Sequence, residues 1–143
     1  MQVKDIMTSS PKSCTKDTSL TDVARMMVDC NCGAIPVTEG KTNPKLVGIV
    51  TDRDIVCRTL ADGKDPYQMA AGDCMSVDLV TVRPDADVDE CARQMQDHQI
   101  RRILVADNGK LCGVVAQADL AKKASPEKTA QTVKKVSQPV GAV

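Results

Sequence analysis

An α+β fold in which one β-α-β-β-α unit is used twice is what the sequence predicts, and three observations predict it. The 143-residue chain aligns with itself at a shift of 68 positions, each copy carries an apolar helical stripe at the same place, and each stripe precedes two short apolar runs joined by turn residues. The shift superposes Asp5-Ile6-Met7 on Asp73-Cys74-Met75, then Ala24, Arg25, Met27 and Asp29 on Ala92, Arg93, Met95 and Asp97, and Ile35 and Val37 on Ile103 and Val105. It becomes 65 where Leu46-Val47-Gly48-Ile49-Val50 meets Leu111-Cys112-Gly113-Val114-Val115, because the segment 38–45 is three residues longer than 106–110. A hairpin loop tolerates such an insertion.

The elements follow in order. Each copy opens with a short extended segment, 12–15 and 80–83. Leu20, Val23, Ala24 and Met27 then recur at helical spacing, and Val88, Cys91, Ala92 and Met95 repeat it, so both stretches present one apolar face. Thr18 or Ser19 suits the N-cap of the first helix and Asp87 that of the second. The apolar runs 34–37 and 46–50, and 102–105 and 111–115, flank Gly- and Asn-containing connections, which is a hairpin pattern. Second helices are expected at 52–60 and 117–123. A three-stranded sheet with helices on one face leaves its other face uncovered, so two three-stranded sheets are expected to pack about a pseudo-twofold axis. The expected organisation is repeat 1 at 3–62, repeat 2 at 70–124, and a tail at 125–143. In the tail, Pro126 starts a polar helix over 127–136, Pro139-Val140-Gly141 ends it, and its sparse apolar content points to docking on the module's edge or on a partner subunit.

Composition narrows the function. Nineteen Lys+Arg balance nineteen Asp+Glu, and with 42% hydrophobic and 27% charged residues the profile is that of an ordinary globular protein rather than a basic polyanion binder. With Tyr67 as the sole aromatic residue the chain has no platform for stacking single-stranded nucleic acid. The opening residues do not resemble a signal peptide and no uncharged run approaches bilayer length, so a cytoplasmic protein with no membrane and no nucleic-acid partner is expected. Seven cysteines without a CxxC pair, and a single histidine, His98, make a poor zinc signature, so no metal site and no cofactor is expected. Cys91 and Cys112 fall on apolar positions of these patterns and read as small buried hydrophobes kept reduced. Cys30-Asn31-Cys32 is the exception, two thiols close enough near a turn to oxidise or to bind a soft metal.

Asp5-Ile6-Met7-Thr8, Gly33-Ala34-Ile35-Pro36-Val37 and the run from Gly48 to Val56 resemble the cystathionine-β-synthase (CBS) domain, and the tandem arrangement resembles a CBS pair of the small stand-alone bacterial type, over residues 3–124. The resemblance implies a regulatory or sensor protein, commonly a homodimer, that binds AMP, ADP, ATP or in some members S-adenosylmethionine in clefts between the repeats. It also implies a signature of Thr or Ser three residues before an Asp, the hydroxyl approaching phosphate and the carboxylate taking the ribose hydroxyls. Here these are Thr51 and Asp54, with Arg53 between them. The resemblance brings Val80 and Thr81 toward the base, and Arg101 and Arg102 toward the phosphates, a task that suits a planar guanidinium fork. A second, weaker site would use Cys32, Gly33, Ala34 and Asp119, with Ala116 standing where the signature has Thr or Ser.

Each of these residues also has a purely structural reading. Thr51 and Asp54 resemble a capping box, Arg101-Arg102 an exposed pair in surface salt bridges, and His98 a cation at a helix C-terminus. The Met-containing stripes read as core. No nucleophile is tied by spacing to a base and no phosphate-binding Gly-rich loop occurs, so the chain reads as a sensor rather than an enzyme. The alternative is a ligand-free structural or thiol-responsive oligomerisation module. The regulated partner protein is not legible.

Overall fold

The computed structural model describes residues 1–123 and 126–138; of the expected features, Pro139-Val140-Gly141 and the last residue of repeat 2 lie outside them. In chain order the elements are β1 (Thr8–Ser9), α1 (Leu20–Cys30), β2 (Ala34–Glu39), β3 (Lys45–Thr51), α2 (Asp52–Arg58), α3 (Ala71–Cys74), β4 (Thr81–Val82), α4 (Val88–His98), β5 (Arg102–Asp107), β6 (Lys110–Ala116), α5 (Gln117–Lys123) and α6 (Pro126–Val136). Single 3-10 turns occupy Val3–Asp5, Leu60–Asp62 and Pro66–Gln68. The class is α+β, as the alternation of stripes and paired runs implies. No helix among the described residues is long and apolar enough to cross a membrane.

The chain divides into two compact units, Lys12–Leu79 and Met1–Pro11 with Val80–Val143. In the first, β2 and β3 form an antiparallel hairpin, Cys14 bridges Val37 in parallel, and Ser76 bridges Ile49 antiparallel. In the second, β5 and β6 form the hairpin, β4 pairs in parallel with β5, and β1 pairs antiparallel with β6 through Thr8 with Val114. The registers are related by the sequence repeat: Cys14 with Val37 matches Val82 with Val105, and Ser76 with Ile49 matches Thr8 with Val114. Each hairpin thus gains a fourth, antiparallel segment from the leading residues of the other repeat.

Local signals decide the boundaries. Ser19, not Thr18, caps α1, its hydroxyl accepting from Asp22 N at 3.1 Å; Asp87 caps α4, accepting from Asp89 N at 2.8 Å. Both helices end on a left-handed residue, Asn31 at φ 50° and Gln99 at φ 52°, and the next amide reaches back to the carbonyl of Met27 or Met95. The β5–β6 turn is Asn108-Gly109, both at positive φ as a type I′ turn requires, whereas the three extra residues of the first copy lengthen its loop to residues 40–44. Helix α2 stops at Arg58, two residues short of the expected end, where the Thr59 hydroxyl donates to Ile55 O at 2.5 Å and the backbone leaves helical geometry.

One core forms in each unit. Val23, Ile35, Val37 and Val50 gather with Cys14 and Ala71, and Val88, Cys91, Ala92, Met95, Ile103, Val105, Val115 and Leu120 with Val3, Ile6, Val82 and Val136. The helical stripes are not equally covered: Ala92 is buried and its counterpart Ala24 is exposed. The cause is α6, which packs on α4 and α5 and sends Val136 into their core while Gln96 Nε2 donates to Thr132 Oγ1 at 3.0 Å. The expected docking of the tail is therefore on the helices of its own unit.

Candidate functional site

The best-defined polar constellation lies where β3 turns into α2. Thr51, the last residue of β3, caps α2, its hydroxyl accepting from Asp54 N at 3.0 Å while Asp54 Oδ2 accepts from Thr51 N at 3.1 Å. This reciprocal pair is a capping box, so the structural reading of these residues is realised. It also fixes the hydroxyl and the carboxylate side by side.

Two further residues, which the sequence reading did not single out, complete the surroundings of Asp54. Ser76 Oγ donates to Asp54 Oδ2 at 3.5 Å, and Arg58 Nη2 lies 3.9 Å from Oδ1. Arg58 is itself held, its guanidinium donating to Cys74 O at 2.8 Å, Met75 O at 2.9 Å and Ser76 Oγ at 3.2 Å. The Asp54 side chain is 16% exposed. A carboxylate offers about four lone-pair directions, so these contacts leave Oδ1 with accepting capacity toward a diol. The (i, i+4) spacing of Asp54 and Arg58 is a sequence signal for their pairing; nothing local announces Ser76. Arg53 is exposed at the first turn of α2.

The turn Cys32-Gly33-Ala34 belongs to the same unit and backs this site. Gly33 O accepts from Asp52 N at 2.9 Å, and a Cβ at Gly33 would meet Asp52 Oδ2 at 2.9 Å, so the backbone here lies hard against the start of α2. Cys30 and Cys32 are joined by a disulfide across Asn31. Among the other thiols, burial pushes Cys14 up to about 11 and Cys91 up to about 12, and raises Cys74. Cys91 is buried as expected, Cys112 is only half-buried, Cys14 and Cys74 are buried as well, and Cys57 is exposed.

Val80, Thr81, Arg101, Arg102 and Asp119 lie in the other unit. Val80 packs against its core, Thr81 is exposed and pairs with Leu104, and both arginines are exposed. Arg101 O accepts from Gln117 N at 3.0 Å, the counterpart of Gly33 with Asp52. Asp119 Oδ2 accepts from Ala116 N at 2.8 Å, which is half of the Thr51–Asp54 box; the missing half is the hydroxyl that Ala116 lacks. Ala116→Thr is therefore expected to complete the box and raise stability by about 0.5–1 kcal/mol, measurable as a higher urea midpoint. Val80, Thr81, Arg101 and Arg102 are brought to one unit with Asp119, and Cys32, Gly33 and Ala34 to the other with Thr51, Arg53 and Asp54.

With the geometry in hand, the chain matches the family model described as CBS domain twice, at residues 3–58 and 71–125. It is 43% identical over 120 residues to the uncharacterized protein YlbB of Bacillus subtilis, covering 84% of this chain and 80% of that one. It is 32% identical over 137 residues to hypoxic response protein 1 of Mycobacterium tuberculosis, covering 96% and 94%. A crystal structure of Hypoxic Response Protein I with two coordinated zinc ions superposes with a TM-score of 0.77 at 33% identity, covering 87% of this chain and 100% of that one. A structure of CBSX2 in complex with AMP superposes at 0.75 with 24% identity, covering 86% and 95%, which is a likeness of fold.

Proposed function

The chain belongs to the CBS-domain family, and on that premise we propose that it is a regulatory binding module whose Thr51–Asp54 turn holds the ribose and phosphate of an adenosine nucleotide, AMP, ADP or ATP. The observation that carries this reading is the reciprocal bonding of Thr51 and Asp54, which sets one hydroxyl and one carboxylate side by side before any ligand arrives. Prepaid ordering of this kind lowers the entropic cost of binding. Val80, Thr81, Arg101 and Arg102 enter the proposal through the family resemblance alone. Asp119 without a neighbouring hydroxyl supports a weaker second site, by about one hydrogen bond or roughly 1 kcal/mol. A homodimer and a cytoplasmic location complete the reading.

Coupling to a partner requires that the nucleotide favour one of two states of the module. The Hypoxic Response Protein I structure contains two coordinated zinc ions; among the described residues of this chain no group of three or more His, Cys, Asp or Glu side chains is placed to hold a metal ion.

Titration calorimetry with AMP, ADP and ATP tests the proposal. Asp54→Ala is expected to weaken binding at least tenfold, about 1.4 kcal/mol. It also removes the partner of Thr51 N, so a stability loss of about 1 kcal/mol should accompany it. Asp119→Ala removes the equivalent cap bond in the other unit and serves as the control: it should lose similar stability yet leave the tighter affinity unchanged. Equal affinities of Asp54→Ala and parent, or equal weakening by both substitutions, would refute the assignment.

A second reading, a nucleotide-free thiol-responsive oligomerisation module, has the Cys30–Cys32 bond in its favour. An oligomer that depends on reductant and ignores adenosine compounds on a sizing column would establish it.

A further inference from the structure

We propose that Cys30 and Cys32 are a reversible dithiol–disulfide site that exchanges with a small-molecule disulfide, and that its oxidation state sets the geometry of the adjoining Gly33–Asp52 contact. The second half of this proposal rests on the nucleotide reading of the Thr51–Asp54 turn; the first half does not.

The backbone carries the argument. Asn31 is left-handed, with φ and ψ both 50°, and this folds the chain so that the Cα atoms of Cys30 and Cys32 stand 5.4 Å apart, inside the range a disulfide spans. The second repeat makes the same turn with His98-Gln99-Ile100, where Gln99 has φ 52° and ψ 45° and no thiol is present. The turn is therefore a property of the helix end, common to both copies, and not imposed by the bond. Amides anchor it alike, Cys32 N to Met27 O at 3.0 Å and Ile100 N to Met95 O at 3.1 Å. A reduced pair held by that turn is already positioned to close.

The two sulfurs differ in access, which assigns their roles. Cys30 is exposed at the end of α1, while Cys32 is half-buried and packs against the core that contains Val23 and Ile35. Exchange thus begins at Cys30: its thiolate attacks one sulfur of the external disulfide, forming a mixed disulfide and expelling one thiolate. Cys32, as thiolate, then attacks the Cys30 sulfur and expels the second. The two cysteines lose two electrons and two protons, and the external disulfide becomes two thiols. The buried thiols of Cys14, Cys74 and Cys91 are withheld from this chemistry by burial.

The pair adjoins the candidate site directly. Cys32 is bonded to Gly33, whose carbonyl accepts from Asp52 N at 2.9 Å and where a Cβ would meet the Asp52 carboxylate at 2.9 Å. Closing or opening the ring at 30–32 therefore acts on the residue that leads α2, one position after Thr51 and two before Asp54.

The full chain, equilibrated with reduced or oxidised glutathione, then alkylated and peptide-mapped by mass spectrometry, tests this. In the oxidised sample Cys30 and Cys32 should resist alkylation together, with the peptide lighter by two hydrogens, and dithiothreitol should restore both. Cys32→Ser should trap glutathione on Cys30; Cys30→Ser should leave Cys32 largely unmodified. Alkylation of both cysteines in the oxidised wild type, stable glutathione adducts there, or intermolecular bonds would overturn the site, and trapping on Cys32 would overturn the order of attack. AMP titrations of the two redox states read the coupling, with an affinity change of about fivefold or more expected. Equal affinities overturn the coupling alone. Absence of AMP binding in both states, with reversible closure intact, removes the nucleotide reading and the coupling with it but leaves the redox site standing.

Discussion

Met95→Ala should lower the unfolding free energy by about 2–5 kcal/mol, the range for truncating a buried methionine that leaves a cavity. Met95 is fully buried on α4 among Val88, Cys91, Ile103, Val105 and Leu120. Helix α6 covers α4 from outside, so the cavity has walls on both sides and little freedom to collapse. The repeat supplies an internal control. Met27, its counterpart on α1, is only half-buried against its core, and Met27→Ala should cost clearly less. Urea unfolding followed by circular dichroism reads both. Equal midpoint shifts for the two substitutions would show that the unequal covering of the two stripes does not set the cost of truncation.

Gly113→Ala should cost about 1–3 kcal/mol, for the opposite reason: there is no room for one more carbon. A Cβ at Gly113 would lie 2.7 Å from Thr8 O and 2.6 Å from Met7 Sδ. The sulfur is free to swing aside, but the carbonyl belongs to β1, paired with β6 through Thr8 with Val114 and Ser9 with Gly113. The strand pairing must therefore spread. Gly48, the repeat counterpart, is less severe: its Cβ would meet Met75 Sδ at 2.8 Å and Ser76 O at 3.1 Å. Thermal unfolding should accordingly rank Gly113→Ala below Gly48→Ala, and the reverse order would show that the approach of β1 to Gly113 does not limit the packing.

Most of the fold was legible because its signals are local. The spacing of Leu20, Val23 and Met27 marks a helix face, the Asn108-Gly109 dipeptide marks a tight hairpin, and Ser19 and Asp87 mark helix starts. Thr51 and Asp54 were legible for the same reason, since three residues span one helical turn. Long-range choices left no such trace. Ala24 and Ala92 look alike in sequence, and only α6 makes one of them buried. Ser76 reaches Asp54 from 22 residues away. The exchange of leading segments was invisible because the two copies match so closely: Thr8 and Ser76 occupy equivalent positions, so pairing with either hairpin satisfies the same pattern. At 30–32 the sequence left oxidation and soft-metal binding equally open, since whether the two thiols meet depends on the left-handed turn at Asn31.

That exchange of leading segments imposes a schedule on synthesis. Lys12–Leu79 is contiguous and closes on itself once its last residue has left the ribosome. Met1–Pro11 emerges before that unit, yet its partners all follow it: the 84–88 segment for Met1 to Lys4, and Lys110–Ala116 for Thr8 and Ser9. Until those partners emerge, Val3 and Ile6, which end at 0% and 4% exposure, stay uncovered ahead of an otherwise finished nascent unit, the stretch a chaperone would grasp.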